Sequence, residues 1–420
     1  MKLIADLHIH TKYSRATSKS MVLTSIAEWA RRKGIGVVGT GDFTYPAQIK
    51  SIETELEEAG GDLFTLKGNA TDETEPRFML TTEVSNIYKQ GDKTRKIHSL
   101  IFAPSIKAVK KINKALDAIG NIKSDGRPIL GITSQELIKI VMDSDPGCML
   151  IPAHAWTPWF SIFGSKSGFN TIEECYGDYT KHIHAIETGL SSNPEMNSRL
   201  SMLDDITLIS NSDAHSPSKL GREANIFDCI ADYHEITDII KTKDRKRFLS
   251  TVEFYPEEGK YHYDGHRDCG VLLSPEETHK AFGKCPVCAR PVTVGVSNRV
   301  DELSDRPLGY KAKNMIPSQP MVPLQEIIAA TMGRGVNTKG VTAKYMEVVE
   351  AGGSEFNVLL DMEVKEIEAI AGEKIAEAVR RVRSGEISIV PGFDGEFGKI
   401  KIFGTAESPV EKGPSQKGLF

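Results

Sequence analysis

Short apolar runs alternate with stretches of helical periodicity through about the first 230 residues of the chain. The apolar runs predict strands at Leu3–Ile9, Gly36–Thr40, Phe78–Glu83, Ile97–Phe102, Met149–Ala153, Ala185–Glu187 and Ile206–Ser210. The 3.6-residue pattern predicts helices at Leu23–Arg32, Ile106–Ile119, Ser134–Met142 and Pro194–Leu203. Continuous apolar strands separated by helices are typical of a parallel sheet buried on both faces. We therefore predict an α/β domain that is either a barrel or a doubly wound sheet.

The pattern changes twice after this region, and it predicts three domains at residues 1–244, 245–297 and 298–420. The second unit is rich in Cys, His, Tyr and Gly. The third begins with a proline-rich stretch, continues with helices such as Met362–Arg383, and closes with a segment after Thr405 that we expect to be a flexible tail. Within the first domain, the polar stretch Gly60–Pro76 predicts a surface insertion.

Composition favours a soluble protein. The 420 residues are 40% hydrophobic and 26% charged, which is enough apolar material for several cores. No apolar run reaches the eighteen or so residues of a membrane span. The apolar start Met1–Ala5 is too short for a signal-peptide core, so we predict a cytoplasmic location.

The charge pattern leaves a nucleic-acid ligand open. A net charge of −5 gives the molecule no basic average. Residues 290–344, however, carry eight Lys or Arg against four Asp or Glu. Because a binding groove needs local rather than average positive charge, this excess is compatible with a polyanion.

Potential metal ligands follow or begin the predicted strands. They are Asp6, His8, His10, Asp42, Glu83, His98, His154, Asp213 and His215. In α/β folds, catalytic groups collect where strands end and loops leave the sheet. Imidazoles mixed with carboxylates suit Zn, Mn or Fe better than a pure oxygen cage, and a carboxylate can bridge two ions. The pattern predicts a centre with more than one metal ion.

A second set of ligands has the spacing of a zinc site. His266 and Cys269 form one pair, and Cys285 and Cys288 form the other. Four protein ligands leave no open coordination position, so the site is predicted to be structural. The three cysteines are the stronger part of the pattern. His262, Asp264 and His279 are alternatives to His266 as the fourth ligand.

The first 230 residues resemble the PHP (polymerase and histidinol phosphatase) superfamily. The opening Asp6-Leu7-His8-Ile9-His10-Thr11 is similar to its first motif, and Glu83, His98, His154 and Ser212-Asp213-Ala214-His215 match later motifs in order. The resemblance implies a distorted (β/α)7 barrel and a phosphoesterase centre, with His8, Glu83 and Asp213 in catalytic roles. It also implies one ion held by His8, His10, Glu83 and Asp213, a second completed by His98 and His154, and a third drawing on Asp42 and His215. Gly41-Asp42-Phe43 departs from the family, in which many members have Thr-Asp-His.

A narrower resemblance is to the endonuclease Q family. It rests on Gly39–Thr44, Ala153–Phe160, Glu187–Ser192, Ser210–Pro217 and Lys219–Asn225. It implies a DNA repair endonuclease that binds double- or single-stranded DNA and uses Zn, Mn or Mg. The enzyme would cut 5′ to deaminated bases (uracil, hypoxanthine, xanthine) and abasic sites. We expect a monomer with no membrane partner. Candidate DNA contacts are Trp156, Trp159, Ser191, Ser192, Asn193, Lys219 and Arg222. The tryptophans follow His154 directly, where an aromatic ring could stack on an unpaired base.

Two alternative functions remain open at this point. One is a PHP-type phosphatase of a small phosphorylated metabolite, which would need neither the zinc unit nor the helical tail. The other is a zinc-dependent DNA-binding adaptor with an inactive barrel, which the intact ligand set disfavours.

Overall fold

The computed structural model describes residues 1–404. Its strands are β1 (Lys2–Asp6), β2 (Val37–Gly39), β3 (Leu56–Glu58), β4 (Phe64–Leu66), β5 (Arg77–Gln90), β6 (Lys93–Ala103), β7 (Ile129–Leu130), β8 (Met149–Pro152), β9 (Ala185–Glu187), β10 (Thr207–Ile209), β11 (Ala224–Asp228), β12 (Phe248–Glu253), β13 (Asp264–His266), β14 (Val271–Leu273), β15 (Ser318–Pro320), β16 (Ser388–Val390) and β17 (Lys399–Lys401). Its helices are α1 (Leu23–Lys33), α2 (Pro46–Glu55), α3 (Ile106–Asp117), α4 (Ser134–Ser144), α5 (Ile172–Tyr176), α6 (Pro194–Asn197), α7 (Tyr233–Thr242), α8 (Pro275–Lys280), α9 (Val296–Leu303), α10 (Leu324–Met332), α11 (Lys339–Gly352), α12 (Val364–Ala371) and α13 (Glu373–Ser384).

Strands from the first two-thirds of the chain surround one apolar interior. Alternate residues of β1 point the same way, so Leu3 and Ala5 face this interior while Ile4 faces the outer layer. The same inner cluster takes side chains from the other barrel strands and from α7; among them are Val37, Met79, Leu100, Ile151, Ala185, Ile209, Phe227 and Ile236. Each predicted strand region therefore forms a strand, and the α/β fold class is confirmed.

The sheet is not wholly parallel, and that part of the prediction was wrong. The strands β1, β2 and β5 run parallel, but β6 is antiparallel to both β5 and β8. Only two residues, Gly91 and Asp92, separate β5 from β6, which is too short for a crossover between parallel strands. Gly39, the last residue of β2, pairs with Met79, and Ala103, the last residue of β6, pairs with Leu80, so most of β6 extends past the end of β2.

Other predicted elements differ in detail. The polar stretch Gly60–Pro76 is not wholly a surface insertion, because it contains β4, which pairs with β3 and β5 and buries Phe64. The predicted helix Met362–Arg383 is two helices, since Gly372 has a φ of 93° and ends α12. The predicted helix Pro194–Leu203 is only the single turn of α6 followed by a 3-10 turn.

The later part of the chain packs on the barrel. The main sheet extends past residue 244, because β12 pairs with β11 and β15 pairs with β12. We therefore propose that the first domain ends after Glu253 rather than at residue 244. The hairpin of β13 and β14 carries part of the predicted zinc site, and α9–α13 form the mainly helical third unit. The predicted flexible tail after Thr405 lies outside the described residues. Within residues 1–404, no helix is both long and apolar enough to cross a membrane.

A buried ion pair joins the barrel to the third unit. Lys33, the last residue of α1, lies 2.6 Å from Glu355, and both side chains are at most 3% exposed. Glu355 also accepts hydrogen bonds from the backbone N–H of Leu324 (3.0 Å) and from the hydroxyl of Tyr345 (2.7 Å). The carboxylate thus has partners on each side of the contact, as a buried charge requires.

We expect Lys33→Met to cost about 3–5 kcal/mol of unfolding free energy, because it leaves the Glu355 carboxylate buried without its counter-charge. Lys2→Met is the matched control. Lys2 and Asp361 also join the barrel to the third unit, but their side chains are 37% and 50% exposed, so the loss there should stay below about 1 kcal/mol. Urea unfolding followed by circular dichroism measures both. Equal losses in the two variants would contradict this account.

Candidate active site

Two histidines leave the end of β1 and point their Nε2 atoms at two carboxylates. The Nε2 atom of His10 lies 3.1 Å from Glu83 Oε2 and 3.2 Å from Asp213 Oδ1. The Nε2 atom of His8 lies 3.7 Å from the same Glu83 oxygen and 3.6 Å from the same Asp213 oxygen. Both rings are almost completely buried. Four side chains from the start, the first third and the middle of the chain thus converge on one point.

The other oxygen of Glu83 faces a second pair of histidines. Glu83 Oε1 lies 2.7 Å from His98 Nδ1 and 3.0 Å from His154 Nε2. His98 is near the middle of β6 and pairs with Ser85 of β5, two residues after Glu83. The β5–β6 hairpin therefore brings His98 close to Glu83. His154 follows β8 directly. Glu83 therefore stands between two histidine pairs.

The ligand atoms of these residues form two groups whose spacing is suited to binding metal ions. The ligand atoms of His8, His10 and Asp213 all lie within 4.8 Å of one another, and so do those of Glu83, His98 and His154. In the first group, His8 Nε2, His10 Nε2 and Asp213 Oδ1 are buried and have no hydrogen-bond partner among the described residues. Buried polar atoms without partners are costly unless something else binds them. Imidazole nitrogen and carboxylate oxygen together suit a divalent transition ion.

Burial and the neighbouring carboxylates together set the pKa values of the histidines in this site. Burial alone would lower the pKa of His8, but Glu187 and Asp213 outweigh burial and raise it to about 10. At His98 burial dominates and lowers the pKa to about 4. The pKa of Glu83 stays well below its usual range despite its burial, because of the charges of His98 and Arg127. A metal ion bound by these ligands would take the place of the protons that they share.

Two further carboxylates, those of Glu187 and Asp42, contact the Nδ1 atoms of His8 and His10. Both oxygens of Glu187 lie 3.0 Å from His8 Nδ1, and the same side chain accepts hydrogen bonds from the backbone N–H of His154 (2.8 Å) and from Asn211 (3.0 Å). Asp42 Oδ1 lies 3.1 Å from His10 Nδ1. A carboxylate on Nδ1 fixes the ring and its tautomer, so that Nε2 faces the metal.

The position of Asp42 corrects its predicted role in a third metal site. Its second oxygen accepts hydrogen bonds from the backbone and hydroxyl of Thr11, at 2.7 and 2.6 Å, so both oxygens are engaged behind His10. His215 is nearer to the centre, with Nδ1 3.6 Å from Asp213 Oδ1. Among residues 1–404, no group of three ligand atoms includes Asp42 or His215. We propose that Asp42 orients His10.

The backbone at this edge of the barrel is strained. Asp42, His154 and Asp213 all have positive φ, at 51°, 29° and 46°. Such values are unfavourable for residues with a side chain and collect at functional sites. Gly189 supports the conformation of His154, because a Cβ atom at position 189 would lie 2.5 Å from the Cβ of His154.

Several predicted DNA contacts have roles within the protein; burial shows that the predictions for Trp156 and Ser192 were wrong, while those for Asn193 and Arg222 stay predictions. Trp156 is 1% exposed and donates its ring N–H to Asn197 (2.8 Å), so it cannot stack on a base. Ser192 is fully buried and bonds to Thr188 O, and Asn193 caps α6. The guanidinium of Arg222 donates to the carbonyls of Ser212 (2.8 Å) and Asp213 (3.3 Å), which holds the Asp213 loop.

Three of the predicted contacts remain accessible or unpaired. Trp159 is 41% exposed, and its ring meets the ring of Tyr261 edge to face at 5.9 Å. The hydroxyl oxygen of Ser191 is buried but has no hydrogen-bond partner among the described residues. Lys219 is partly exposed and pairs with Glu326 at 2.9 Å, so its charge is largely satisfied within the protein.

The predicted zinc ligands meet at the second unit. The ligand atoms of His266, Cys269, Cys285 and Cys288 lie within 4.8 Å of one another, and Cys288 Sγ is 3.6 Å from His266 Nδ1. Desolvation opposes thiolate formation at Cys285, but the backbone N–H groups of Cys288 and Val287 outweigh it and lower its pKa to about 7. The donor set fits a closed, tetrahedral zinc site. The alternatives His262 and Asp264 have other surroundings: His262 is buried away from this group, and Asp264 accepts hydrogen bonds from Gly295 and Asn298.

Comparison with known proteins identifies the family. Residues 323–386 match the family described as the MJ0043 C-terminal domain. The chain is 34% identical over 254 residues to the uncharacterized protein MJ0043 of Methanocaldococcus jannaschii, covering 59% of this chain and 31% of the length of that relative. It is 30% identical to the uncharacterized protein YqxK of Bacillus subtilis, over 95% of this chain and 99% of that protein.

Similarity to solved structures shows which family the chain belongs to. The lesion-specific endonuclease PfuEndoQ of Pyrococcus furiosus superposes with a TM-score of 0.84 at 31% identity, over 96% of this chain and 95% of the other. The chain belongs to the endonuclease Q family. A complex of endonuclease Q with a 27-mer duplex that has an abasic lesion at the active site matches with a TM-score of 0.83 at 32% identity, over 96% of each chain.

Membership of the endonuclease Q family makes this chain an endonuclease, and its two groups of ligand atoms are suited to divalent metals. The ligand types and spacings already indicated the metals, whereas Glu187 and Arg127 were not expected to take part in the site. Glu187 had a signal that was available, because it ends a strand next to Thr188-Gly189. Arg127 had none, since it lies in a loop between Asp125 and Pro128.

We expect Glu187→Gln to weaken metal binding or activity by about 10- to 100-fold, because an amide orients the His8 ring less strongly than a carboxylate. Glu174→Gln is a suitable control, since Glu174 is exposed on α5. Metal titration by calorimetry measures the affinity of both variants. Unchanged affinity and activity in the Glu187 variant would show that Glu187 is not needed to hold His8.

Removal of zinc should unfold the second unit while the barrel stays folded. We expect Cys285→Ser to lose the bound zinc and to free the β13–β14 hairpin for protease cleavage, because zinc binding supplies on the order of 10 kcal/mol to a unit of this kind. Cys229→Ser is the control, since that cysteine is buried in the barrel away from the site. Zinc analysis and limited proteolysis give the result. A hairpin that resists protease without zinc would contradict the structural assignment.

Proposed function

We propose that this endonuclease Q homologue is a DNA repair enzyme that cuts the phosphodiester on the 5′ side of deaminated bases (uracil, hypoxanthine, xanthine) and abasic sites. It would leave 3′-hydroxyl and 5′-phosphate ends. The observation that carries the proposal is the pair of metal-ligand groups joined by Glu83, in a chain that matches a lesion-specific endonuclease over nearly its whole length. The solved complex with an abasic lesion at its active site supports DNA as the substrate.

Divalent ions in this centre would supply a hydroxide at neutral pH and neutralise charge on the phosphate. The protein's own part is to hold the ligands ready for them. Glu187 and Asp42 set the orientation of His8 and His10, and Arg222 fixes the loop that presents Asp213. We assign His8, Glu83 and Asp213 to the centre that cleaves the bond, with Zn, Mn or Mg as the ions there and zinc at the cysteine site.

A cavity next to His154 is suited to an extrahelical base. Its volume is about 220 Å³, and its lining includes Thr157, Pro158, Leu190, Tyr261 and His262. The hydroxyl of Thr157 lies 3.2 Å from His154 Nδ1, so the cavity adjoins the second ligand group. Flipping a nucleotide costs least where the base is mispaired or missing, which itself favours damaged sites.

The polar atoms of the cavity give a basis for recognising deamination. Deamination replaces an exocyclic amino group, a donor, by a carbonyl group, an acceptor. Ser191 lines the cavity, but its hydroxyl oxygen is buried without a hydrogen-bond partner among the described residues, so it has to turn into the cavity before it can donate to such a carbonyl. Burial lowers the pKa of His262 to about 4, so this ring is neutral, and its unpartnered Nδ1 also lies behind the cavity wall. An abasic site would enter the same space without these contacts.

The exposed ring of Trp159 stands near this cavity. Its edge-to-face contact with Tyr261 links the barrel loop to the segment that leads into the zinc unit. An exposed aromatic ring beside a phosphoesterase centre can stack on the base left unpaired by flipping, at roughly 1–3 kcal/mol per base. Basic residues of the segment 290–344 other than the buried Arg299 and the paired Arg306 would contribute to holding the DNA backbone.

The decisive experiment uses end-labelled duplexes with one uracil, hypoxanthine, xanthine or abasic site, next to an undamaged duplex. We expect a single nick 5′ to each lesion with Mg or Mn present and none in the undamaged DNA. Asp213→Asn should abolish the nick while the melting temperature is retained. Asp62→Asn is the control, because Asp62 is an exposed carboxylate that pairs with His234 on the surface.

The same preparation is assayed with a small phosphomonoester. Good turnover of the phosphomonoester with no nick in any damaged duplex would establish the alternative, a phosphatase of small metabolites. Full nicking by Asp213→Asn with an unchanged metal content would remove the assignment of this centre as the catalytic one.

A further inference from the structure

Arg127 places a guanidinium group at the rim of the metal centre. Its side chain is 25% exposed, and Nη1 lies 2.8 Å from Glu83 Oε2. We infer that Arg127 binds a non-bridging oxygen of the phosphate that is cut, an inference that rests on the proposed function for its substrate. Arg127 would then be a catalytic residue that touches the substrate.

The loop that carries Arg127 is fixed to the barrel. The carboxylate of Asp125 accepts hydrogen bonds from the backbone N–H groups of Arg15 (3.1 Å) and Arg127 (3.0 Å). The N–H of Gly126 donates to Tyr13 O at 3.0 Å. The backbone that follows β1, which also carries His8 and His10, therefore holds this loop directly.

Gly126 packs against the group that orients His10. A Cβ atom at position 126 would lie 2.5 Å from Asp42 Oδ2 and 2.4 Å from Ser14 Oγ, so only glycine fits without movement. Thr44 also donates its hydroxyl to Gly126 O at 3.1 Å. The next residue, Arg127, thus has a defined place relative to the His10–Asp42 pair. Such placement is what a group that must meet a transition state requires.

The guanidinium has donors left over for a ligand. An arginine offers five N–H donors in a planar fork. In the part of the chain that the structure describes, the hydrogen bond to Glu83 is the one that this guanidinium makes. The charges of Glu83 and Asp213 both favour its cationic form and raise the pKa of Arg127. A planar cation with free donors, partly open to solvent beside two metal-ligand groups, matches the oxygens of a phosphate.

The other role that Arg127 could have is to neutralise Glu83 in the absence of metal. The two roles predict different behaviour. A counter-charge would affect metal content and stability, and it would leave phosphate binding to the metal-loaded protein unchanged. A phosphate ligand would affect phosphate binding and nicking, and it would leave the metal content unchanged.

The test compares Arg127→Gln and Arg127→Lys with the wild-type full chain, all loaded with Mn. Inorganic phosphate is titrated into each protein by calorimetry. We expect the glutamine variant to bind phosphate about 10- to 100-fold more weakly, as loss of a charge-assisted hydrogen bond predicts. Nicking of the uracil duplex should fall by about 100- to 1,000-fold, the effect of removing one donor from a developing oxyanion. Lysine should restore part of both, because it keeps the charge but not the fork.

Arg15→Gln is the matched control. Its side chain is exposed near the same loop, and Asp125 contacts only its backbone. It removes one positive charge from the same region and should leave phosphate binding and nicking unchanged. Metal content and melting temperature are measured for every variant.

Normal phosphate binding by Arg127→Gln would overturn the inference, and so would a loss of phosphate binding that merely follows a loss of metal. If glutamine disrupts the fold, the lysine variant decides by the same measurements. The phosphate titration does not depend on DNA. A wild-type protein that binds phosphate through Arg127 but nicks no damaged duplex would therefore defeat the proposed function and leave the role of Arg127 intact.

Discussion

The active centre depends on the burial of one carboxylate. Glu83 is 1% exposed, and four imidazoles and one guanidinium point at its two oxygens. An ionised carboxyl group removed from water is very costly unless it is paired. The residues around Glu83 satisfy that requirement, and the same residues are the ones able to hold ions. The residues that allow the carboxylate to be buried are thus the same residues that bring the two histidine pairs together around it.

The sequence predicted the direct ligands better than the residues that support them. His8, His10, Glu83, His98, His154 and Asp213 stood out because their types are rare at strand ends and combine into a known chemistry. Glu187 and Arg127 act through geometry that only the closed barrel creates, and for Arg127 the neighbouring sequence gives no signal of it. The prediction for Trp156 was wrong for a related reason. Lying next to a ligand in sequence does not say whether a side chain turns toward the site or into the core beneath it.

The fold was predictable to a similar depth. Every predicted strand region formed a strand, because continuous apolar runs must be buried on both faces. Strand direction was not predictable from those runs, because an apolar run has the same pattern in a parallel and in an antiparallel strand. His98 lies near the middle of β6, opposite Ser85, and the β5–β6 hairpin brings its ring to 2.7 Å from Glu83.

The contacts of the active centre differ in how far apart their residues are along the chain. Glu83 and His98 lie on adjacent strands joined by a tight turn, a contact that a short piece of chain can make early. The link between His8 and Glu187 spans 179 residues. That second contact exists only after almost the whole barrel has closed. The contact between Glu83 and His98 is therefore made by local structure, whereas the approach of His154 and the contact of His8 with Glu187 need distant parts of the chain, so a truncated barrel would keep the first contact and lose the others.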